Sequence, residues 1–176
     1  MSKVLIVVDM QKDFIDGALG TAEAVKIVPK VIEKIKTYPK NAVYATRDTH
    51  KENYFDTQEG KLLPVKHCIK GTEGWEIRPE IAELIPKSHI IDKPTFGAEK
   101  LAAKMKSLAE KDPELEIELL GLCTDICVVS NALLIKAAIP EVKISVDAAC
   151  SAGVTPEKHN AALETMKSCQ IYVTEE

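Results

Sequence analysis

Residues 116–137, EIELLGLCTDICVVSNALLIKA, contain a strand and a helix in direct succession. The apolar run over residues 116–122 has the length and continuity of a strand buried on both faces. From residue 125 onward the apolar positions fall on one helical stripe, formed by Val128, Ala132, Ile135 and Ile139. Thr124, between the two, is a candidate N-cap for a helix over residues 125–138. The stretch therefore predicts a β-strand that passes directly into an α-helix.

The same alternation extends over the rest of the chain. Short β-rich runs predict six strands, at residues 3–8, 42–46, 89–92, 116–122, 142–146 and 170–174. Helical spacing predicts helices between them, at residues 22–37, 97–110, 125–138 and 156–168. Strand–helix–strand repetition requires parallel pairing with right-handed crossovers. We therefore predict a three-layer, doubly wound α/β fold: a mostly parallel six-stranded sheet with helices on both faces.

Length and composition narrow the class of protein. A chain of 176 residues fits one domain, which we take to span residues 1–176. The net charge is −4 and charges of both signs are mixed, which argues against nucleic acid or an anionic membrane as a partner. No run approaches the roughly 18 apolar residues of a membrane span. Chains of this size and fold often associate, so we also expect a homo-oligomer, although no stretch identifies the contact surface.

The N-terminus and the cysteines indicate the compartment. The first apolar run is short and meets an acid at once, so it is a strand rather than a signal peptide. The five cysteines form no close C-x-x-C pair. Without an export signal, we expect reduced thiols and a cytoplasmic protein rather than a disulfide framework.

Reactive side chains follow four of the predicted strands. Asp9 follows the first strand, Asp48 the second and Lys93 the third. Cys123 and Cys127 follow the fourth. Because the carboxyl ends of parallel strands lie along one edge of an open sheet, where such folds bind ligands, we expect these groups to meet in one crevice.

Three of these residues have the chemistry of a nucleophilic site. Cys127 falls in the first turn of the predicted helix, where free N–H groups stabilise a thiolate and could receive an oxyanion. Asp9, poorly solvated after an apolar strand, would have a raised pKa and could exchange a proton with the thiol. Lys93 would hold both groups in their charged forms. Each also has a simpler interpretation: a small buried thiol, a turn-capping acid and a solvated lysine.

Residues 47–87 form a long irregular segment, and such loops inside compact domains are usually functional. One carboxylate and two imidazoles within it make a plausible ligand set for Zn²⁺, or for Fe or Mn, with open positions left: Asp48, His50 and His67. Glu59 is a candidate fourth ligand, bound directly or through water. His89 and His159 lie in a predicted strand and a predicted helix, and we interpret both as structural.

Five segments occur together in a known order: VVDMQKDF (7–14), TRDTH (46–50), HCIKGTEGWEI (67–77), DKPTFGA (92–98) and GLCTDICV (121–128). This set resembles the isochorismatase-like cysteine hydrolases, and among them the nicotinamidases most closely. The resemblance runs from residue 4 to about residue 150. It implies a single isochorismatase-like hydrolase domain and an amidohydrolase that converts nicotinamide to nicotinate and ammonia in NAD salvage.

The resemblance also implies roles for individual residues. By matching position, Asp9, Lys93 and Cys127 would form the catalytic triad. The backbone N–H groups of Cys123 and Cys127 would form the oxyanion hole, beside a cis peptide bond at Leu122–Cys123. One divalent metal, commonly zinc in such enzymes, would be bound by Asp48, His50 and His67.

The substrate pocket is where the sequence departs from the family pattern. Phe14 would flank the substrate ring. Before the second metal-binding histidine, nicotinamidases often carry an aromatic residue followed by prolines, which caps the ring. Here Leu63 and a single Pro64 stand at that place. An alternative within the family is therefore a cysteine amidohydrolase acting on an N-carbamoyl or ureido compound, or on another small carboxamide.

An interpretation of a different class is a non-catalytic one. The pair of Cys123 and Cys127 would then serve an α/β protein that binds a ligand or senses redox state. The convergence of Asp9 and Lys93 on the thiol has no role in that interpretation.

Overall fold

A computed structural model describes residues 2–175, so that residues 1 and 176 of the predicted domain lie outside the described residues. The strands are β1 (Lys3–Val8), β2 (Val43–Asp48), β3 (Ile90–Lys93), β4 (Glu116–Leu122), β5 (Lys143–Ala152) and β6 (Tyr172–Thr174). The helices are α1 (Lys12–Ile15), α2 (Ala22–Lys36), α3 (Gln58–Leu62), α4 (Pro79–Ala82), α5 (Glu99–Ala109), α6 (Val129–Ala138) and α7 (Pro156–Ser168). Short 3₁₀ turns lie at Lys40–Ala42, Tyr54–Asp56 and Lys87–His89.

The six strands form one sheet in the order β3-β2-β1-β4-β5-β6, and each neighbouring pair is parallel. The chain winds outward from β1 to β3 on one side and from β4 to β6 on the other. The switch between these directions lies between β1 and β4, the position where open α/β sheets bind ligands. The predicted doubly wound α/β fold is confirmed, with a sheet that is parallel throughout.

Two hydrophobic cores cover the two faces of the sheet. Successive side chains of a strand point to opposite faces. On one face Val4 and Ile6 join a core with side chains from α5, α6 and α7, including Leu101, Ala132, Ile135 and Met166. On the other face Leu5 and Val7 pack with α2 and the loop segment, including Ile27, Val31, Trp75 and Ile81. This arrangement accounts for the continuously apolar strands and gives the three layers.

β1 and β4 approach closely at the switch point. Gly121 has a φ of +120°, and a Cβ added there would lie 2.2 Å from the Val8 carbonyl oxygen. Only glycine fits such a backbone conformation and such a gap. The end of β1, which precedes Asp9, therefore lies directly against the end of β4, which precedes the cysteine turn.

α6 does not start as the sequence predicted. The turn over Thr124–Val128 is π-helical, with the Val128 N–H donating to the Cys123 carbonyl at 3.0 Å. Thr124 is therefore the first residue of the turn, and Cys123 is its N-cap. The prediction of Thr124 as the cap is wrong because its buried hydroxyl pairs instead with His159 Nδ1, at 2.8 Å.

β5 continues to Ala152 instead of ending near residue 146. Its second half, DAACSA, carries small and polar residues that do not look like a buried strand. Asp147, at the middle of β5, is fully buried because Lys34 of α2 reaches it, with Nζ 2.9 Å from Oδ2.

Lys34 is the centre of a group that joins two half-buried side chains to three buried ones, and we call this group the Lys34 cluster: Lys34, Tyr38, Glu118, Asp147 and Cys150. The Lys34 Nζ lies 3.2 Å from Glu118 Oε1, and the Tyr38 hydroxyl donates to Glu118 Oε2. The Cys150 N–H donates to Asp147 Oδ1 at 3.1 Å. Burial and the Asp147 carboxylate raise the pKa of the Cys150 thiol to about 12. The cluster ties α2 to β4 and β5.

Among residues 2–175, no helix is long and apolar enough to cross a membrane.

Candidate active site

The carboxyl ends of four strands bring the predicted reactive groups together. Asp48 ends β2 and Lys93 ends β3, and the two are paired in register. Asp9 follows β1 directly, and Cys127 lies in the π-helical turn after β4. All four side chains are buried, with at most 3% of the residue surface exposed. We call these four residues the Lys93 cluster.

The Lys93 ammonium is the hub of this cluster. Its Nζ lies 2.7 Å from Asp9 Oδ2, 3.3 Å from Cys127 Sγ and 3.3 Å from Asp48 Oδ1. It also donates to the Thr95 carbonyl at 3.1 Å. Burial would favour loss of the proton, but the two carboxylates and the sulfur outweigh it and raise the pKa of Lys93. The lysine is therefore a fixed cation in contact with both an acid and a thiol.

Asp9 is held in an unusual backbone conformation. Its φ is +47°, in the left-handed region that few residues other than glycine adopt, and Asp is among the more tolerant. Its Oδ1 accepts a hydrogen bond from the Thr46 hydroxyl at 2.7 Å. Burial raises the pKa of Asp9, with Lys93 opposing the shift and Asp48 adding to it. A carboxylate with a raised pKa is suited to take up a proton and to return it.

The Cys127 thiol does not have the low pKa that its place near a helix start predicts. Burial and the neighbouring Asp9 raise the pKa of Cys127 well above its ordinary value, and Lys93 only partly offsets them. Desolvation by burial therefore outweighs the neighbouring Lys93 cation, which alone would stabilise a thiolate. A raised pKa favours the protonated sulfur, which shares its Lys93 contact with the Asp9 carboxylate. All five cysteines, each among the described residues, are free thiols.

A second group of side chains, adjoining the Lys93 cluster, has the composition of a metal site. The ligand atoms of four residues all lie within 4.8 Å of one another: Asp48, His50, Glu59 and His67. The His50 Nε2 lies 2.9 Å from Asp48 Oδ2 and 3.5 Å from Glu59 Oε1. The His67 Nε2 lies 3.6 Å from each of the same two oxygens. Glu59, which the sequence offered only as a candidate, therefore belongs to this group.

These four residues fit a divalent cation. Ligand atoms of a tetrahedral zinc site lie about 3.4 Å from one another when bonds are about 2.1 Å long. The measured oxygen-to-nitrogen separations are 2.9–3.6 Å. The His50 Nε2 is buried and, although Asp48 Oδ2 lies 2.9 Å away, makes no well-aligned hydrogen bond among the described residues, as expected of a nitrogen that faces a metal. The His67 Nδ1 lies 2.9 Å from the Val65 carbonyl, and a proton on Nδ1 leaves Nε2 free as a ligand atom.

Two residues that our sequence analysis did not assign support the metal ligands. The fully buried Gln11 carboxamide donates to the carbonyls of Asp48 and Trp75, both at 2.8 Å, and accepts from the Asp48 N–H at 2.7 Å. Asp13 Oδ2 accepts from the N–H of Cys68, next to His67, at 2.7 Å. The only signal of Gln11 in the sequence is an amide three residues after a buried strand.

One of the predicted oxyanion donors lies directly before the turn that carries the thiol, and the other lies within it. The peptide bond between Leu122 and Cys123 is cis, at the position that the family resemblance indicates. Cys123 precedes the π-helical turn and Cys127 lies within it. Their backbone N–H groups remain our predicted pair of donors.

Of the two predicted ring-binding residues, Phe14 contacts an imidazole directly, and Leu63 is linked to the imidazoles through Tyr54. Phe14 is largely buried, with its ring centroid 5.5 Å from that of His67. Tyr54 packs edge-on against His50 and His67, at 4.8 Å and 5.2 Å, and its hydroxyl donates to the Leu63 carbonyl at 2.9 Å. The Leu63 residue is 38% exposed. Its backbone is thereby fixed near the metal ligands, while its side chain faces outward in part.

The other two histidines contact the sheet and the cysteine turn. The His89 ring stacks on Tyr44 with centroids 4.1 Å apart, and its Nδ1 lies 2.9 Å from the Val43 carbonyl. His159 of α7 contacts the Thr124 hydroxyl. Both contacts agree with the structural roles that we predicted.

Comparison with known proteins gives a consistent result. A family model described as the isochorismatase domain matches residues 3–176. An uncharacterized isochorismatase family protein of Bacillus subtilis (strain 168) is 32% identical over 146 residues, which cover 76% of this chain and 78% of that protein.

Two solved structures are similar over the whole chain. The structure of a pyrazinamidase of Pyrococcus horikoshii in complex with zinc is 29% identical, with a TM-score of 0.81 and 100% of both chains covered. A nicotinamidase from Bacillus subtilis is also 29% identical, with a TM-score of 0.80, covering 99% of this chain and 100% of that one.

Proposed function

Because this chain belongs to the isochorismatase family, we propose that it is a nicotinamidase, which hydrolyses nicotinamide to nicotinate and ammonia in NAD salvage. Its similarity to a nicotinamidase and a pyrazinamidase supports its assignment as an amidohydrolase. The observation that carries the proposal is the contact of one buried ammonium, Lys93, with the Asp9 carboxylate at 2.7 Å and the Cys127 sulfur at 3.3 Å.

The first half of the reaction forms a thioester. Asp9 accepts the proton of the Cys127 thiol, and the thiolate attacks the carboxamide carbon. The N–H groups of Cys123 and Cys127 bind the oxygen as its negative charge develops. The C–N bond then breaks while Asp9 returns the proton to the departing nitrogen, which leaves as ammonia. Lys93 keeps its proton throughout and stabilises each negative charge that forms beside it.

The second half hydrolyses the thioester. Asp9 is again ionised and takes a proton from a water molecule, whose oxygen attacks the acyl carbon. The C–S bond breaks, the Cys127 sulfur recovers its proton from Asp9, and the acid is released. The raised pKa of Asp9 suits both transfers, since the same group must act in turn as base and as acid.

Three residues would hold a divalent metal, for which zinc is our first choice: Asp48, His50 and His67, with Glu59 bound through water, so that a position stays open to the substrate. When bound, the metal would supply a Lewis-acid position for the pyridine nitrogen and so orient the ring. Phe14 and Leu63 would flank that ring. Asp48 belongs to both parts of the site, since its Oδ1 contacts Lys93 and its Oδ2 faces the imidazoles.

An ammonia-release assay on nicotinamide, with metal analysis of the same sample, tests the proposal. We expect turnover by the wild-type protein, about one equivalent of divalent metal, and loss of turnover in Cys127→Ala with the fold retained by circular dichroism. Cys169→Ala is the matched control, because Cys169 is exposed, and it should retain full activity. Unchanged turnover in Cys127→Ala would refute the assignment.

A second candidate is another cysteine amidohydrolase, acting on an N-carbamoyl or ureido compound or on another small carboxamide. The observation that favours it is the partly exposed aliphatic Leu63 at the place of an aromatic cap. The same assay over pyrazinamide and several ureido compounds separates the two. Activity on ureido compounds in metal-free protein would favour this second candidate.

We further propose that the protein acts in the cytoplasm, on a small molecule and not on nucleic acid or a membrane, as a homo-oligomer. Its mixed surface charge and its free thiols support this setting. Light scattering of the purified protein would measure the oligomeric state directly.

A further inference from the structure

We propose that Asn131 is a positioning residue, which sets the distance between the Lys93 ammonium and the Cys127 sulfur. It lies on α6, one turn after Cys127, and is fully buried. Its role in turnover rests on the proposed function, whereas its effect on the thiol can be measured without any substrate.

The Asn131 carboxamide bridges two separate segments of the chain. Its Nδ2 donates to the Cys127 carbonyl at 2.8 Å and to the Phe96 carbonyl at 3.1 Å. Its Oδ1 accepts from the Ala98 N–H at 2.9 Å. A bond to the carbonyl four residues earlier is common for polar side chains in helices. The other two bonds are not local, because they fix the loop that follows β3 onto α6.

That loop also holds the lysine. It leaves β3 at Lys93, and its Thr95 carbonyl accepts from the Lys93 Nζ at 3.1 Å. Gly97, in the same loop, lies close enough to α6 that an added Cβ would be 3.3 Å from a Leu134 methyl group. One side chain therefore connects the backbone that carries the sulfur with the backbone that directs the ammonium.

A primary carboxamide suits the three backbone groups that it meets. Two carbonyls need donors and one N–H needs an acceptor, which a single –CONH₂ group supplies with both of its N–H bonds and its oxygen. An ionised aspartate has no donor, and leucine has neither donor nor acceptor. Asn131 itself does not contact the thiol, the lysine or the metal ligands through any described bond, so its influence acts through Cys127 and Lys93.

The test compares the reactivity of Cys127 in three variants at one pH. The rate of alkylation by iodoacetamide is followed at the Cys127 peptide by mass spectrometry, alongside kcat and KM for nicotinamide. We expect Asn131→Leu and Asn131→Asp to slow alkylation and to lower kcat about 10- to 100-fold, with KM little changed, because small misplacements of reacting groups have effects of this size.

The control is Ile135→Ala, one turn further along α6 in the hydrophobic core. Its cavity should lower the thermal midpoint without moving the loop, and so leave both rates unchanged. If Asn131→Leu does not fold, the isosteric Asn131→Asp decides the matter. Unchanged or faster alkylation in folded Asn131→Asp, or equal slowing in Ile135→Ala, would overturn the proposal. Wild-type protein that does not hydrolyse nicotinamide would refute the proposed function only, since the alkylation rates still decide the role of Asn131.

Discussion

The Lys93 cluster and the Lys34 cluster contain the same kinds of charged and thiol groups, but their lysines make different contacts. Each holds one lysine between two buried carboxylates, with a thiol nearby. In each, burial raises the pKa of the thiol. Buried charges and a shifted thiol pKa therefore do not identify a catalytic site by themselves.

Position and contact separate the two clusters. Lys93 lies at the carboxyl end of its strand and touches the Cys127 sulfur directly, at 3.3 Å. Lys34 reaches down from α2, and its ion pairs go to Glu118 and Asp147 in the middle of β4 and β5. The Lys93 cluster also adjoins the metal ligands, through Asp48. The features that indicate a catalytic site are therefore the contact between a cation and a thiol and its place at the switch point of a parallel sheet.

The largest expected contrast is in activity. Lys93→Met should lower kcat/KM for nicotinamide about 100- to 1,000-fold, since it removes a preorganised charge beside the reacting atoms. Lys34→Met should leave kcat/KM unchanged. Steady-state ammonia release at a temperature where both variants are folded measures the contrast. Equal losses in the two variants would remove the distinction between the clusters.

The next contrast is in stability. Lys34→Met should lower the free energy of unfolding by about 3 kcal/mol, because it leaves Asp147 buried without its paired cation and leaves Glu118 with only the half-exposed Lys3, 3.4 Å away. This value is at the low end of the cost of breaking a buried ion pair, because the Lys34 side chain is 12% exposed. Urea denaturation measures the change. Lys36→Met, at an exposed pair with Glu33, is the control and should change the stability little.

Zinc affinity should change when a residue beside the metal ligands is substituted, but not when a residue of the Lys34 cluster is. Gln11→Leu removes the amide that fixes the backbone of Asp48, and we expect zinc affinity to fall about 10- to 100-fold. Competition with a chromophoric chelator measures it without reference to turnover. Tyr38→Phe, which removes a hydrogen bond in the Lys34 cluster, should leave zinc affinity unaltered. A loss of affinity in Tyr38→Phe would show that the clusters are not independent.

The smallest effect concerns pH. Burial opposes ionisation of Glu118, but Tyr38, Lys34 and Lys3 outweigh it and hold the pKa of Glu118 below its ordinary 4.5. A lowered pKa means that the stabilisation is complete above pH 4.5 and is lost as pH falls through the value in the folded protein. Glu118→Gln should therefore cost about 1 kcal/mol near neutral pH and less in acid. Thermal midpoints across pH measure it, with Glu33→Gln as the exposed control.

The sequence predicted the strands and helices that have a regular hydrophobic pattern. It did not predict the contacts that depend on tertiary packing. The strand that ends at Val8 and the helix that covers Ala22–Lys36 could be read from periodicity. The metal group could be proposed because Asp, His and Glu are recognisable ligand types. Gln11 and Asn131 act through backbone carbonyls of distant segments, and any residue offers a carbonyl. Such partners carry no sequence signature.

Two local features were misjudged for physical reasons that the fold makes clear. The pKa of the Cys127 thiol depends on its burial and on three charged side chains at the ends of other strands: Asp9, Lys93 and Asp48. Asp147 lies in the middle of a strand that also carries small and polar residues, and its charge is paired with a lysine more than a hundred residues earlier in the chain. The acids inside β4 and β5 were visible in the sequence, but their partner was not.

The order of the strands bears on how the site is assembled during translation. β1, β2 and β3 are neighbours both in the chain and in the sheet, and both partners of the Asp9–Lys93 ion pair and all the candidate metal ligands have been synthesised by residue 93. The sulfur arrives with β4, on the other side of β1. On a ribosome that delivers the amino-terminal half first, the nucleophile is thus the last component to be made, and it docks beside charges that the nascent chain already carries.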